Sequence, residues 1–427
     1  PNKMPGRRRQ EIDLDRWVEA GRLRWAWVFG TMWIQAMAAS DEFYTKFREL
    51  TVENPNRITS TDVESAANAL IARADSGGMV LVNSEVYLRE PITSELSDIV
   101  LPASGWGEHD YARANGERRL RLYSKFYDPP GDAKPDWWAI AQFGKKMGFE
   151  GYDWEESNDV FEEAARFSKG GVLNYNALVV KAKADGKTGH ELLGELGTTG
   201  IQTPIRLVDG ELVGTKRLHD STITLPPPNG VNVHPKWLTH FKTHSGKAIL
   251  NKSPWEWFSD FYNRIKPAGD ELWVTSGRVN EVWQSAYDDV RKPYIFQRTP
   301  EHFVEIHPDD AGLRGIESGD EVRIWNDDVL IQTGGFDLVD GDSFLYSKLE
   351  EAGHIKVGSG EITAVAVVTD GVRPGLIFAN FAWPRFPKSA ANSLVHRVPD
   401  PIANRYRFKL GKGRLEKIGE SPFKNDL

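Results

Sequence analysis

Three apolar runs separated by helical text constrain this chain's fold more than any other feature. They are Leu23–Ile34 (LRWAWVFGTMWI), broken at Gly30; Met79-Val80-Leu81-Val82-Asn83; and Asp98-Ile99-Val100-Leu101-Pro102. Short continuous apolar segments of this kind read as strands buried on both faces of a parallel sheet. Leu14–Gly21, Ser40–Leu50 and Ser60–Ala74 have helical periodicity, and the last of them stops before Gly77-Gly78. Strand, helix and strand with short connections predict an open α/β sheet with right-handed crossovers. Ligands of such sheets sit at the carboxyl ends of the strands, which makes candidates of Thr31, Asn83, Glu85 and residues 103–108. For any one of these alone, a solvated loop residue is the commoner reading.

Helical periodicity returns over Pro135–Gly148 and Ser157–Phe167. Ile205–Val213 alternates apolar and polar residues around Asp209-Gly210, the signature of a two-residue hairpin. Leu225–Asn229 (LPPPN) is a stiff, extended connector. The last third changes character. Leu272–Ser276, Val304–Ile306, Glu321–Trp325, Val329–Thr333, Phe344–Leu349 and Ile362–Val368 read as short strands, with one helix at Asp309–Leu313 between them. Many short strands at close spacing predict a closed barrel. The expected organisation is therefore an α/β domain over residues 1–159, an irregular α+β insertion over 160–265, and a β-barrel domain over 266–427.

The 427 residues carry 53 Lys+Arg against 61 Asp+Glu, a net charge of −8, so bulk charge gives no case for nucleic acid or an anionic membrane as partner. The chain has no cysteine, which removes disulfides, thiolate-bound zinc or iron–sulfur sites and cysteine nucleophiles together. No apolar run approaches the roughly 20 residues of a membrane helix. The opening PNKMPGRRRQEIDLDRW has a basic stretch without an apolar core behind it, unlike a secretory signal. It lacks an initiating methionine and reads as a mid-protein linker, so a fragment or processed chain is expected. Fifteen tryptophans are most simply aromatic-rich interior.

Familiar catalytic motifs are missing: there is no Walker loop, no G-x-G-x-x-G opening a helix, no G-x-S-x-G elbow and no H-E-x-x-H. His240 and His244, with His234 nearby, have metal-pair spacing but lack a carboxylate at a customary third position, and surface histidines are the better reading. Glu108-His109-Asp110 are adjacent, and adjacent side chains diverge in strand or helix. No metal ligands and no catalytic acid or base are assigned. Two polar clusters after strands are more informative. One runs from Leu101-Pro102 through Glu108 to Asn115-Gly116-Glu117-Arg118-Arg119, and the other is Gly277-Arg278-Val279-Asn280-Glu281-Val282-Trp283-Gln284-Ser285. Arginine forks suit phosphate and carboxylate, so together the clusters point to a polyanionic ligand. Taken singly, each Arg reads as well as a loop-pinning ion pair.

The block SDIVLPASGWGEHDYARANGERRLRLY resembles the signature of molybdopterin oxidoreductases of the dimethyl-sulfoxide-reductase class. VTSGRVNEVWQSAYDD is similar to the segment opening that class's C-terminal domain, and VEIHPDDAGLRGIESGDEVRIWND to the core of its double-psi β-barrel. AANSLVHRVPDPIANRYRFK is similar to the closing segment. Within the class, ANGERRLRLYSKFYDPPGDAKPDWW is most similar to the arsenite-oxidase large-subunit group, which includes iodate-reductase catalytic subunits. The resemblance covers only the second half of such a subunit.

The resemblance implies a Rossmann-like open-sheet domain followed by a double-psi barrel, together binding a molybdenum bis(molybdopterin guanine dinucleotide) cofactor. Carried over residue by residue, Gly30 falls on the family's Gly-x-Asn-Pro turn, which here reads Gly30-Thr31-Met32-Trp33 without the Asn-Pro. Asn83 ends the second strand, and Glu85 stands where the family commonly has an Asp at the guanosine end. Glu108, Asn115, Arg118 and Arg119 fall on the first loop. Gly277, Arg278, Asn280, Trp283, Gln284 and Ser285 fall on the pterin- and phosphate-facing loop, Asn392 on the closing Asn, and Lys409 on the terminal lysine. Arg118 and Arg278 are expected to face one nucleotide-bearing pterin. Pyrophosphates want backbone N–H groups and Arg, and a pterin wants amides that donate and accept.

By the same resemblance, the function expected first is arsenite oxidation, moving an oxygen atom and two electrons at a small inorganic oxyanion. Iodate reduction is the alternative. The implied partners are the N-terminal half of the same subunit with its iron–sulfur cluster, a small Rieske-type iron–sulfur subunit, and an electron carrier such as a c-type cytochrome, in the periplasm. A further alternative is a non-autonomous cofactor-binding module needing a separate N-terminal chain. A glycan-binding or hydrolytic protein is disfavoured by the lack of a carboxylate pair.

Overall fold

A computed structural model describes the chain apart from residues 1–10, 89–91, 235–236, 251–254, 283–291, 336–344, 382, 384–386, 401–404, 423 and 425–427. It divides into two compact units, one of residues 1–101 with 254–427 and one of residues 102–253. The breaks fall after Leu101 and Ser253, so residues 102–159 group with the segment that follows them.

The first unit opens with helix α1 (Glu11–Glu19), strand β1 (Trp25–Phe29), the single turn α2 (Trp33–Ala36), helices α3 (Ser40–Leu50) and α4 (Val63–Asp75), and strands β2 (Val80–Glu85) and β3 (Ile99–Pro102). The strands form a sheet of order β1-β2-β3, with β1 and β2 parallel. Leu23–Ile34 is thus not one strand. Gly30 takes φ +50°, a left-handed conformation that glycine adopts without penalty, and the chain turns there into α2. Burial on both faces is met only by the central β2; on the flanking strands Trp25 is 42% and Ile99 41% exposed. On β1, Ala26 and Val28 face a core with Ile34, Phe43, Phe47 and Leu81. Trp25, Trp27 and Phe29 take the other face, as the strand period of two requires, with Trp27 and Phe29 stacked at 4.8 Å.

The second unit holds β4 (Tyr111–Ala114), β5 (Arg119–Tyr123), α5 (Asp136–Lys146), α6 (Ser157–Phe167), α7 (Asn176–Ala184), α8 (Gly189–Glu195), β6 (Ile201–Gln202), β7 (Arg206–Val208) and β8 (Glu211–Val213). Its core joins Leu120 and Ile201 from the sheet to Phe161, Leu178 and Leu193 from the helices. The β7–β8 hairpin turns at Asp209 (φ +50°) and Gly210 (φ +85°), the two positive φ values of a type I′ turn.

The remainder of the first unit runs α9 (Trp255–Ile265), β9 (Leu272–Gly277), α10 (Pro293–Arg298), β10 (Phe303–Ile306), α11 (Pro308–Gly312), β11 (Asp320–Gln332), α12 (Tyr346–Glu351), β12 (Ile355–Val368), β13 (Leu376–Asn380) and β14 (Gly411–Glu420). Six strands close a barrel in the order β10-β12-β11-β14-β9-β13, filled by Val274, Val304, Ile324, Ile362 and Ile377 among others. Two expected strands, Glu321–Trp325 and Val329–Thr333, are one: β11 runs through, with an irregularity between Asn326 and Val329 where Asn326 Oδ1 accepts from the Asp328 amide. The stretch expected as a strand over Phe344–Leu349 forms α12 from Tyr346, because Tyr346 and Leu349, three apart, are both buried on one helical face. Residue 344 lies outside the described residues.

His396 sits against this barrel with Nδ1 accepting from the Leu330 amide. Burial holds its imidazole at about 3, with Lys412 pushing the same way. The native state therefore refuses a proton that the unfolded chain takes up below its ordinary value of 6.5. This stability is present above that value and is lost as pH falls towards 3. Denaturant midpoints measured from pH 7.5 to 5 should decline with acid, and His396→Gln should flatten that decline.

Candidate functional site

Where β9 ends, the ladder to β13 pairs Gly277 with Asn380. Just beyond it the Phe381 amide donates to Gly277 O at 2.7 Å. A Cβ on Gly277 would lie 2.2 Å from the Phe378 ring, so this close approach requires glycine. The arrangement delivers Arg278 to the rim of a cleft of about 510 Å3, lined by Ala36, Ser276, Gly277, Arg278, Phe381, Asn392, Phe408 and Lys409. Four of the residues singled out in the sequence, Gly277, Arg278, Asn392 and Lys409, are brought together here from 133 residues of chain.

The cleft is cationic on one side and amide-lined on another. The Arg278 guanidinium lies 5.9 Å from the Phe381 ring centroid. Lys409 Nζ donates to Ser276 O, and burial followed by the neighbouring Arg278 charge pulls its pKa below the usual lysine range. Two cations held side by side raise the site's affinity for an anion. Asn392 is fully buried; its Nδ2 donates to Ala36 O at 2.9 Å, while Oδ1 has no hydrogen-bond partner among the described residues. Buried polar atoms are nearly always paired, so an acceptor left open on a cleft wall marks a place for a ligand donor. Asn380, across the ladder from Gly277, is 2% exposed, with no partner for Nδ2 among the described residues. Asn380, Phe381, Ser276 and Phe408 were missed in the sequence. The signal for Asn380 was a polar residue closing the apolar run LIFAN behind Pro374-Gly375.

In the same unit, Gly30, Asn83, Glu85 and Asn280 are not among the residues that line this cleft. Gly30 ends β1, its amide donating to Ser84 O at 3.0 Å. Asn83 and Glu85 are buried at the end of β2, with Asn83 Oδ1 lacking a partner among the described residues and Glu85 Oε1 accepting from the Val86 amide. Asn280 is exposed two residues past Arg278. Trp283, Gln284 and Ser285 lie outside the described residues.

Glu108, Asn115, Arg118 and Arg119 belong to the second unit. Glu108 Oε2 accepts from the Gly105 amide at 2.6 Å. Asn115 Oδ1 accepts from the amides of Glu117 and Arg119, fixing the turn between β4 and β5. Arg118, at φ +60°, turns its guanidinium onto the carbonyls of Thr203, Thr215 and Lys216. Arg119 pairs with Glu117 at 2.8 Å and donates to Thr199 O at 2.9 Å. These two arginines tie the β4–β5 turn to the 199–216 segment.

Two family models match the chain: Molydopterin dinucleotide binding domain over residues 272–329 and 354–411, and Molybdopterin oxidoreductase over residues 80–146. Iodate reductase subunit IdrA of Denitromonas iodatirespirans is 54% identical over 434 residues, covering 100% of this chain and 48% of that protein. Arsenite oxidase subunit AioA of Herminiimonas arsenicoxydans is 31% identical over 267 residues, covering 59% of this chain and 30% of that protein. Among solved structures, acetylene hydratase from Pelobacter acetylenicus superposes with a TM-score of 0.48 at 15% identity, covering 87% of this chain and 46% of that one. The chain spans about half the length of the curated relatives it matches first.

Proposed function

The chain belongs to the molybdopterin oxidoreductase family, and we propose that within it the chain forms the C-terminal part of an iodate-reductase catalytic subunit. The observation carrying this reading is the 54% identity to the iodate reductase subunit along the whole chain, against 31% over 59% of it for the arsenite oxidase subunit. The order expected from the sequence is thereby reversed: iodate reduction leads, and arsenite oxidation is second. We take the barrel to be of the double-psi type and the three-stranded sheet to be Rossmann-like, as the resemblance implies. An iron–sulfur cluster in a preceding part of the subunit, a Rieske-type partner, a c-type cytochrome and a periplasmic location complete the reading.

The matched domains imply a molybdenum bis(molybdopterin guanine dinucleotide) cofactor, and the residues of the cleft fit such a group. Arg278 and Lys409 supply the positive charge that phosphates need, and Asn392 Oδ1 supplies an open acceptor for a heterocycle edge. When bound, the cofactor supplies the oxygen-atom transfer and the two-electron change at the oxyanion, while the protein orients it and sets its electrostatics. In this reading Asn392 fixes the orientation of the heterocycle, and Arg278 and Lys409 fix the register of its phosphate arm. Gly277 lets the backbone approach it. Gly30, Asn83, Glu85 and Asn280, in the same unit, are proposed as outlying contacts.

The test is turnover by the full-length, cofactor-loaded subunit. Reduced viologen should be oxidised when iodate is added, and arsenite with an artificial electron acceptor should give a much lower rate. Faster arsenite oxidation would replace the first reading with the second.

A further inference from the structure

We propose that Ser40 and Asp41, at the start of α3, are positioning residues for Asn392: they hold the short 3-10 turn Ala391–Leu394 so that the Asn392 amide oxygen stays in the cleft. The proposal rests on the reading of Asn392 as a cofactor contact.

The turn is gripped from several directions. Ala39 N donates to the carbonyls of both Asn392 and Val395 at 2.9 Å. Ser40 Oγ and Ser393 Oγ, both fully buried, are 2.8 Å apart. From the barrel side, β12 comes so close that a Cβ on Gly360 would lie 2.0 Å from Ser393 O. Asp41 bridges the two walls: its Oδ2 accepts from the Glu361 amide at 3.2 Å, and the Ser393 hydroxyl lies beside its carboxylate. Asp41 Oδ1 is buried with no hydrogen-bond partner among the described residues.

Burial raises the Asp41 carboxyl to about 6, against the hydrogen bonds from the Glu361 amide, Ser393 and the Lys388 amide, which favour the anion. Glu361 is the like charge facing it, and is itself held by Arg323 and Lys388. On its own helix, Glu42 is engaged by Lys356. For the fold, a raised carboxyl contributes stability that is complete below its ordinary value and lost as pH rises through 6. For the turn, the sense is opposite. The anion is the stronger acceptor for the Ser393 hydroxyl, so the grip on Asn392 tightens above pH 6. A group that works against the fold while serving a cleft wall is what functional positions show.

The test follows amide hydrogen exchange of residues 391–395 in the full-length protein from pH 5 to 8, corrected for intrinsic rates, with molybdenum and pterin retention measured in parallel. In the wild type, protection of the turn should rise several-fold through pH 6 and pterin release should slow in step. Asp41→Asn keeps the shape and should flatten both curves. A wild-type turn indifferent to pH overturns the proposal, as does an Asp41→Asn variant that keeps the pH dependence and only melts earlier. A turn that responds to pH and to the variant while pterin retention does not respond upholds the grip and overturns the assignment of Asn392 to the cofactor.

Discussion

Asp98→Ala should destabilise the first unit by about 3–5 kcal/mol, because it leaves Arg73 charged and buried without its partner. Arg73 and Asp98 are 1% and 7% exposed, with Nη1 and Oδ1 at 2.6 Å. The remaining groups are satisfied as well: Arg73 Nε donates to Asn56 O, and Asp98 Oδ2 accepts from the Leu81 amide at 2.9 Å. The Asp98 amide returns a bond to Leu81 O. The carboxylate thus ties the start of β3 to the middle of β2, two residues before Asn83, while the arginine anchors the end of α4 beneath it. Removing the acid exposes the full desolvation cost of the guanidinium, and nothing relaxes to meet it. The thermal midpoint should drop by roughly 10 °C, at about 2–4 °C per kcal/mol for a unit of this size. Replacing both partners by apolar residues, as in Arg73→Met with Asp98→Leu, should recover most of the loss. Glu49→Ala, which opens the exposed Lys46–Glu49 pair, is the control and should shift the midpoint hardly at all. Equal shifts for the two acids would show that Asp98 is not a buried anchor.

What was legible in the sequence was what short-range chemistry decides. Ser40–Leu50 is helical because its apolar residues recur at helical spacing, and Asp209-Gly210 can only turn one way. The closing of a barrel was legible from strand spacing, but β13 and β14 were not among the expected strands, and β12 was read only in its second half. β14 carries Arg414, Glu416, Lys417 and Glu420 on its exposed side, a charged outer face that reads as a loop until an inner partner is known. β12 begins at Ile355 and keeps exposed residues through Ser359, so only its apolar end announced itself. The site divides in the same way. Arg278, Asn392 and Lys409 belong to segments whose resemblance to a family marked them as cofactor contacts, and they line one cleft. Arg118 and Arg119 look no different in the sequence. Their acceptors are backbone carbonyls such as Thr203 O, 85 residues away, and no local pattern encodes which carbonyl a distant loop will present. Asn380 carried only the weak signal of a polar residue closing an apolar run, because its place opposite Gly277 is set by a strand pairing about 100 residues away in sequence.

Arg278→Ala should weaken cofactor retention by about 1.5–3 kcal/mol, the worth of a charge-assisted hydrogen bond, or roughly 10- to 150-fold in affinity. The side chain is exposed and rests on Phe381, so its loss should leave the fold's stability within about 0.5 kcal/mol of the wild type. That separation matters, because a fall in molybdenum and pterin content with an unchanged unfolding midpoint can come only from the cleft. The neighbouring lysine supplies an independent reading. Arg278 is one cause of the lowered Lys409 pKa, so in the alanine variant the Lys409 amine should titrate closer to its ordinary range even with no cofactor bound. Arg278→Lys keeps the charge but loses the fork and the flat contact with Phe381. It should restore the Lys409 shift and only part of the retention. Unchanged molybdenum content in Arg278→Ala would remove this loop from the cofactor site, and an unchanged Lys409 titration would remove the cation pair on which the anionic character of the ligand was argued.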